Sequence, residues 1–158
     1  MTRSFYAAIL LGGASLALGA CGGSAEEETA TDAPDTVPGL AIENARMILP
    51  AVAGNPAAIY FDLVNSGDTY QTIRRVDVMG AESTMMHATN DDGSMSELSP
   101  QSVVEGETMT LEPGGNHLMV MGVSDELQAG GTTEMTLTVL GGDKMSVDVP
   151  IQAAGDDR

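Results

Sequence analysis

Short apolar runs separated by turn residues follow one another from Leu40 to the end of the sequence. In several runs apolar and polar positions alternate with a period of two, which is typical of half-buried β-strands. None has the repeat of an amphipathic helix. The runs lie at residues 40–49, 57–65, 71–78, 83–89, 94–98, 108–111, 117–121, 133–140 and 144–149. The pattern therefore predicts one all-β domain built as a β-sandwich or barrel.

The last two runs show this alternation most clearly. In residues 133–140, Met135, Leu137 and Val139 alternate with polar residues, mostly threonines. In residues 144–149, Met145 and two valines alternate with polar residues. We expect both methionines to face the core. Residues 141–143 are Gly-Gly-Asp, which predicts a tight hairpin between the two strands.

The N-terminal residues differ from the rest of the chain. Arg3 supplies one positive charge, and residues 5–18 are nearly uncharged and rich in Ala, Leu and Gly, as in a secretory signal peptide. Residues 18–21, Leu-Gly-Ala-Cys, are similar to the lipobox of bacterial lipoproteins, in which cleavage precedes a cysteine that is then lipidated. We expect residues 1–20 to be removed and Cys21 to anchor the protein at the periplasmic face of a bacterial membrane, with the inner and outer membranes both open.

The remaining chain divides by composition. Residues 21–39 contain the lipidated cysteine and a linker rich in Glu, Asp and Thr, with too few large apolar side chains to fold, so we expect a flexible acidic tether. Residues 40–153 form the predicted β-domain. Residues 154–158 are a polar tail.

Charge and cysteine content narrow the possible partners. The formal net charge of −17 argues against nucleic acid and against anionic lipid surfaces, which would repel the protein, so contact with a membrane is expected through the lipid alone. Cys21 is the only cysteine, which excludes an intramolecular disulfide. Once that thiol is lipidated, any metal site must use His, Met, carboxylate or backbone ligands.

One of the two histidines of the chain begins a short methionine-containing run. Alternate strand residues point to the same side, so His117, Met119 and Met121 should share one face. Leu118 and Val120 should point the other way and anchor the strand in the core. This arrangement would present one imidazole and two thioethers together.

The other histidine also has methionines beside it. Met85 and His87 should lie on one side of their strand and Met86 on the other, while Met95 follows after a short acidic turn. Thioether sulfur and neutral imidazole suit Cu(I), whereas Mg, Ca and Mn prefer oxygen ligands. Because a Met/His site needs no thiol, it also avoids oxidation to a disulfide outside the cytoplasm.

Methionine also fills irregular protein cores, which gives a second interpretation. Five methionines far from the histidines are expected to be core residues: Met47, Met79, Met109, Met135 and Met145. If the remaining methionines were core residues as well, the chain would be a structural or protein-binding lipoprotein without a metal. We favour the copper site because both histidines lie within two residues of a methionine.

The sequence lacks the common catalytic motifs that would favour an enzyme over a metal-binding protein. The sequence contains no G-x-S-x-G motif, no P-loop and no cysteine nucleophile in the predicted domain. A blue-copper electron carrier requires a Cys thiolate with two histidines, and Cys21 belongs to the lipobox. We therefore expect a carrier of copper and not an enzyme.

These histidines and methionines, with their spacing, resemble the motif of the PCuAC family of periplasmic copper chaperones. Members share a motif of His, ten residues, Met, twenty-one residues and then His-x-Met. Met95, twenty-one residues, His117, Leu118 and Met119 reproduce its second half, and PGGNHLMVMG and AAIYFDLVNSGD are similar to family segments. His87 matches the first histidine in context, but seven residues, not ten, separate it from Met95.

The resemblance implies a cupredoxin-like Greek-key β-sandwich or barrel with a partly exposed Cu(I) site. It implies the ligands His87, Met95, His117 and Met119. Because of the shortened spacing, Met85 or Met86 could replace Met95, and Met121 is a further possible ligand. It also implies delivery of copper for assembly of the copper sites of cytochrome c oxidase, to an oxidase subunit or through a Sco-type protein.

Overall fold

The computed structural model describes residues 36–156, which contain ten β-strands and no helix. The strands are β1 (Leu40–Ile48), β2 (Ala57–Asn65), β3 (Gln71–Val78), β4 (Ser83–Thr89), β5 (Met95–Glu97), β6 (Ser102–Val103), β7 (Thr108–Leu111), β8 (His117–Met121), β9 (Thr132–Val139) and β10 (Lys144–Gln152). The expected all-β class is confirmed. Within these residues no helix is long and apolar enough to cross a membrane.

The strands form one sheet that curls into a half-barrel. The order is β5-β4-β8-β2-β1-β10-β9-β3-β6, and β7 continues the edge of β2 beyond β8. Only β1 and β10 pair in parallel among the described strands; the other pairs are antiparallel. As a result β4 and β8, which are separated by nearly thirty residues of chain, become direct neighbours.

Alternation along the strands builds the core. In β2 the side chains of Ala57, Ile59, Phe61 and Leu63 are buried, whereas the residues between them are only partly buried. The hairpin of β9 and β10, which lies on the other side of β1, follows the same rule. Burial of this apolar face is the main stabilising term of such a fold, at roughly 25 cal/mol per Å² of apolar surface removed from water.

The boundaries of most strands agree with the sequence pattern, and the exceptions have physical reasons. β10 runs to Gln152, past the predicted end at Val149, because Pro150 still pairs with Thr132. Proline lacks the N–H of a regular ladder, but Ile151 and Gln152 continue the strand by pairing with Met47 and Ile48 of β1. β5 is only three residues long and all three are exposed.

The sequence pattern missed β6, a strand of two residues paired with β3. The buried side chain of Asn65, at the end of β2, holds β6 in place. Its Nδ2 donates hydrogen bonds to the carbonyl oxygens of Val103 (3.0 Å) and Thr69 (2.8 Å). The Oδ1 of the same side chain accepts a hydrogen bond from the N–H of Gly67. A buried amide with all these partners is stabilising, and no local pattern in two residues could predict it.

The predictions for core methionines are confirmed with one exception. Met47, Met135 and Met145 are buried, and Met109 packs partly against the core. Met79 is 64% exposed, so its assignment to the core was wrong. It lies just past the end of β3 in a turn, where strand alternation no longer applies.

The packed region begins before the predicted domain boundary at Leu40. Val37 is buried in the core cluster, and its carbonyl oxygen accepts a hydrogen bond from the N–H of Leu40. Gly39, with a φ of 82°, lies so close to Gly67 that a Cβ would be 2.6 Å from its Cα. The expected signal peptide, Cys21 and most of the linker lie outside the described residues.

Candidate metal centre

The two histidines meet across β4 and β8. His87 is directly opposite His117, and Met85 is directly opposite Met119. Opposite residues of an antiparallel pair point to the same side, as do residues two apart on one strand. The four side chains therefore share one face of the sheet, while Leu118 and Val120 are buried on the other face as expected.

The two imidazole rings are close and differently held. Their centroids are 6.1 Å apart, with an angle of 50° between the ring planes. His117 is a buried residue, only 8% exposed, and its Nδ1 lies 3.2 Å from the carbonyl oxygen of Gly115. When Nδ1 donates this hydrogen bond, Nε2 of His117 is left with its lone pair, as in many metal-ligating histidines.

His87 carries an orphaned polar atom. Its Nδ1 is buried and has no hydrogen-bond partner. Buried polar atoms without a partner are rare and require an explanation, and a bound metal ion is one of the few. This nitrogen therefore fits the role of a ligand.

Neighbouring residues from β1 and β2 close one side of the site. The ring of Tyr60 lies 6.5 Å from that of His117, between centroids. The guanidinium group of Arg46 lies over the ring of Tyr60, with its Cζ 5.1 Å from the ring centroid. Aromatic and guanidinium planes at these distances attract one another, so the three side chains form a continuous row across three strands.

A β-bulge in β1 determines where Arg46 lies. The register with β2 shifts between Glu43 and Arg46, and Asn44 adopts a positive φ of 54°. The Nδ2 of Asn44 donates a 2.7 Å hydrogen bond to Asp62 on β2. This hydrogen bond, followed by one from Thr110, lowers the pKa of Asp62, so the carboxylate is charged and holds the bulge in place.

The other candidate ligands are in different positions. Met121 ends β8 on the same face, opposite Ser83. Met95 lies on β5 opposite Thr89; it shares the face of His87 but is 58% exposed. Met86 lies on the other face of β4, packed against the core, and is not brought to the site. The side chain of Met86 therefore points away from the two imidazoles.

The turn between β4 and β5 fixes the position of Met95. Asn90 and Ser94 are joined by a backbone hydrogen bond of 2.8 Å, and their side chains are also hydrogen-bonded. Asp92 accepts hydrogen bonds from the hydroxyl and the N–H of Ser94, which lower the pKa of the Asp92 carboxyl. These hydrogen bonds close the turn and restrict the movement of Met95 relative to His87.

Oxygen and nitrogen ligands other than the histidines are sparse here. Glu97 lies on β5 directly opposite His87. Across residues 36–156, however, no three side chains of the types His, Cys, Asp and Glu form a group that could hold a metal ion. The side chains directly beside the two imidazoles in the β4–β8 pair are thioethers.

Sequence reasoning missed three neighbours of the site, Arg46, Tyr60 and Glu97. The only available signal was the alternation in β2, which places Tyr60 on the face away from the core. That signal does not say which strand lies beside β2. The neighbours of a site built across strands depend on strand order, which a single sequence does not reveal.

Solved structures of PCuAC proteins resemble the described fold. The copper-bound PCuAC domain from PmoF2 has a TM-score of 0.65 at 21% identity, covering 77% of this chain and 98% of that one. The apo PCuAC domain from PmoF1 gives 0.65 at 27% identity, covering 77% and 99%. The Cu(I) form of DR1885 from Deinococcus radiodurans gives 0.58 at 25% identity, covering 85% and 89%. The expected cupredoxin-like fold is thereby confirmed.

Sequence comparison agrees with the structural one. "Putative lipoprotein Lxx21020" from Leifsonia xyli subsp. xyli is 30% identical over 106 residues. The match covers 65% of this chain and 64% of that protein, which is less than two thirds of its length. The family described as "Putative lipoprotein LpqE-like" matches residues 40–151, most of the chain. Because that match spans nearly every strand of the half-barrel, the chain belongs to the LpqE-like lipoprotein family, which is the PCuAC family.

Proposed function

We propose that this protein is an extracytoplasmic copper chaperone that binds one Cu(I) ion and passes it to a partner protein. The observation that carries the proposal is the pairing of His87 with His117 and of Met85 with Met119 across β4 and β8, which places all four on one face. A metal at this face would be surrounded by soft sulfur and neutral nitrogen, the ligands that Cu(I) prefers.

The proposed ligands are His87, His117 and Met119, completed by a further thioether from Met95 or Met85. The orphaned Nδ1 of His87 supports this assignment, because copper would give that buried atom a partner. The fixed ring of His117 supports it too, since a held imidazole loses little freedom on binding. Copper is the cargo in this proposal, so the protein acts as a carrier without catalysis.

The partly exposed position of the site suits transfer. Met85 and Met121 are both exposed to solvent, so an incoming ligand from a partner can reach the metal before all the original bonds are broken. We propose that the recipient assembles a copper site of cytochrome c oxidase, either an oxidase subunit or a Sco-type protein. A lipid on Cys21 and the acidic tether would hold the domain near a membrane on the periplasmic side.

A Cu(I) titration tests the proposal. A soluble form of residues 22–158 is expected to bind one Cu(I) in competition with a chromophoric Cu(I) chelator, and to bind Zn(II) far more weakly. The matched control is Met109→Leu, a methionine outside the site that should leave binding unchanged. Absence of bound copper, or equal retention of zinc, would instead favour a structural lipoprotein with a methionine-rich core.

A further inference from the structure

The few basic side chains of this acidic chain are not spread evenly. The chain has 23 acidic and six basic residues. Three of the six lie close together on β3 and β10: Arg74, Arg75 and Lys144. Arg75 and Lys144 are both paired with Thr138 of β9, so they share a face of the sheet at two strand spacings, about 10 Å. A basic patch therefore interrupts a surface that is mostly acidic.

A β-bulge in β3 brings the two arginines of this patch to the same place. The register with β9 shifts between Ile73 and Arg75, so Arg74 is the extra residue. Consecutive residues of a regular strand point to opposite faces, but a bulge changes the direction of the side chains beside it. Arg74 and Arg75 both line one groove, with a volume of about 210 Å³, which we call the β3–β4 groove. The bulge thus concentrates positive charge at this groove.

The β3–β4 groove lies where the half-barrel stays open. Among the described strands, β5 pairs with β4 only at residues 87–89, and β6 pairs with β3 only at residues 71–72. The remaining parts of β3 and β4 face each other across a gap, which the hydroxyl of Thr84 spans by donating a hydrogen bond to the carbonyl oxygen of Val76. The segment 98–101, which follows β5, forms a further wall. The groove is therefore a consequence of the incomplete closure of the sheet.

The lining of the groove combines charge with apolar surface. Ile73, Met86 and Leu118 supply apolar side chains beside the two arginines. Glu97 is the one carboxylate among the described lining residues, and it lies on β5, so the positive charge is concentrated on the β3 side. Guanidinium groups bind carboxylates through paired hydrogen bonds, and apolar walls favour an apolar neighbour for that carboxylate. The groove therefore fits an acidic peptide segment better than a small inorganic anion.

The two arginines differ in how free they are to bind a carboxylate. The Nη2 of Arg75 lies 2.6 Å from Oδ1 of Asp77. Within residues 36–156, no hydrogen bond or ion pair engages the side chain of Arg74. Arg74 can therefore accept an incoming carboxylate without losing a bond, whereas Arg75 has to exchange Asp77 for it.

We infer that the β3–β4 groove is the docking surface for an acidic segment of the protein that receives copper. The identity of this partner rests on the proposed chaperone function. Met85 lines the groove and shares the face of the two histidines, so a segment bound there holds the recipient beside the copper site. Because the net charge of −17 repels an acidic chain from most of the surface, binding at the basic patch also determines the orientation of the partner.

Fluorescence anisotropy of a labelled peptide tests the docking surface on the copper-free soluble chain of residues 22–158. The probe is a short peptide of alternating Glu and Val, compared with the same peptide carrying Gln in place of Glu. We expect only the acidic peptide to bind, and Arg74→Gln to weaken its binding about tenfold through loss of charge-assisted hydrogen bonds. Arg46→Gln removes the same charge from β1 and should leave peptide binding nearly unchanged.

A second pair of variants should strengthen binding. Asp77→Asn frees Arg75 from its ion pair and should tighten peptide binding several-fold. Glu43→Gln makes the same change in net charge on β1 and should tighten it much less. Equal effects within this pair, or equal effects of the two arginine variants, would overturn the groove as the docking surface. So would equally tight binding of free glutarate, which would indicate an anion site without peptide docking.

Copper transfer tests whether docking serves the recipient. Each peptide carries a chromophoric Cu(I) chelator at one end, and stopped-flow absorbance follows transfer from the loaded protein, with copper as Cu(I) throughout. Transfer to the acidic peptide should be several-fold faster than to the Gln peptide, and Arg74→Gln should remove that advantage without changing Cu(I) affinity. Equal rates for the two peptides would refute a role in handover. Binding to anionic phospholipid vesicles, lost in Arg74→Gln, with no binding of the peptide would assign the patch to a membrane surface instead. Failure of the unmodified protein to bind Cu(I) would refute the proposed function, whereas the anisotropy measurements would still decide the docking surface.

Discussion

Two antiparallel strand pairs of this molecule use methionine in opposite ways. In the β9–β10 hairpin, Met135 and Met145 are buried and the outer face carries hydroxyls, with Thr136 and Ser146 joined at 2.9 Å. In the β4–β8 pair, Leu118 and Val120 are buried in the core and Met86 packs against it, whereas Met85, Met119 and Met121 face outward on the side of the histidines. A thioether that stays exposed contributes little hydrophobic stabilisation. Packing therefore explains these three outward methionines poorly, which favours a ligand role for them.

The largest effect should come from removing the buried methionine of the hairpin. Met135→Ala leaves a cavity in the core and should lower the free energy of unfolding by about 2–5 kcal/mol. Met85→Ala, at a position that is 39% exposed, should cost less than about 1 kcal/mol. Urea unfolding of the copper-free protein measures both. Equal losses would mean that the two strand pairs use methionine alike, and the comparison would fail.

The strands and their faces could be predicted from the sequence, but the assembly of the site could not. Alternation indicated that His117 and Met119 share a face and that Leu118 and Val120 are buried, because the period of two is local. It could not indicate that His87 pairs with His117, because strand order depends on the whole fold. The contact of Tyr60 with His117 was missed for the same reason.

The error at Met79 shows where local patterns end. Met79 lies in a turn just past β3 and is exposed, although its neighbours in sequence are strand residues. The sequence predicts Met86 as one of two possible replacements for Met95 because the spacing from His87 is short, and the same alternation places it on the face opposite His87, where it packs against the core. For Met79, proximity in sequence was a poor guide, and the direction of the side chain decided the outcome.

The next effect in size is the pH dependence of copper binding, which should distinguish imidazole from thioether ligands. Protons compete with copper for imidazole nitrogen, but not for thioether sulfur in this range. Cu(I) affinity should therefore fall as the pH is lowered from about 7.5 to 5, by at most about tenfold per pH unit for each imidazole. Chelator competition at several pH values measures this slope.

Two variants divide the pH effect between the ligand types. Met119→Leu should bind Cu(I) more weakly at every pH with the same slope. The double variant His87→Met and His117→Met should keep some affinity and lose most of the slope. If Met119→Leu bound copper as well as the unmodified protein, the face shared by His117 and Met119 would not be the site.

The smallest effect concerns the outer faces of the sheet, where the row of Arg46, Tyr60 and His117 differs from the hydroxyl pair of the hairpin. Arg46→Gln removes the guanidinium over the Tyr60 ring and should cost about 0.5–1 kcal/mol of unfolding free energy. Arg46→Lys keeps the charge but not the planar stacking, so its loss of unfolding free energy should be intermediate.

Since Tyr60 lies beside His117, Arg46→Gln should also change Cu(I) affinity slightly, whereas Thr136→Val in the hairpin should not. Thermal unfolding and chelator competition on the three variants measure these differences. If Arg46→Gln and Thr136→Val changed the Cu(I) affinity equally, the row of Arg46 and Tyr60 would have no influence on the metal. Only the β4–β8 pair would then determine the affinity of the site.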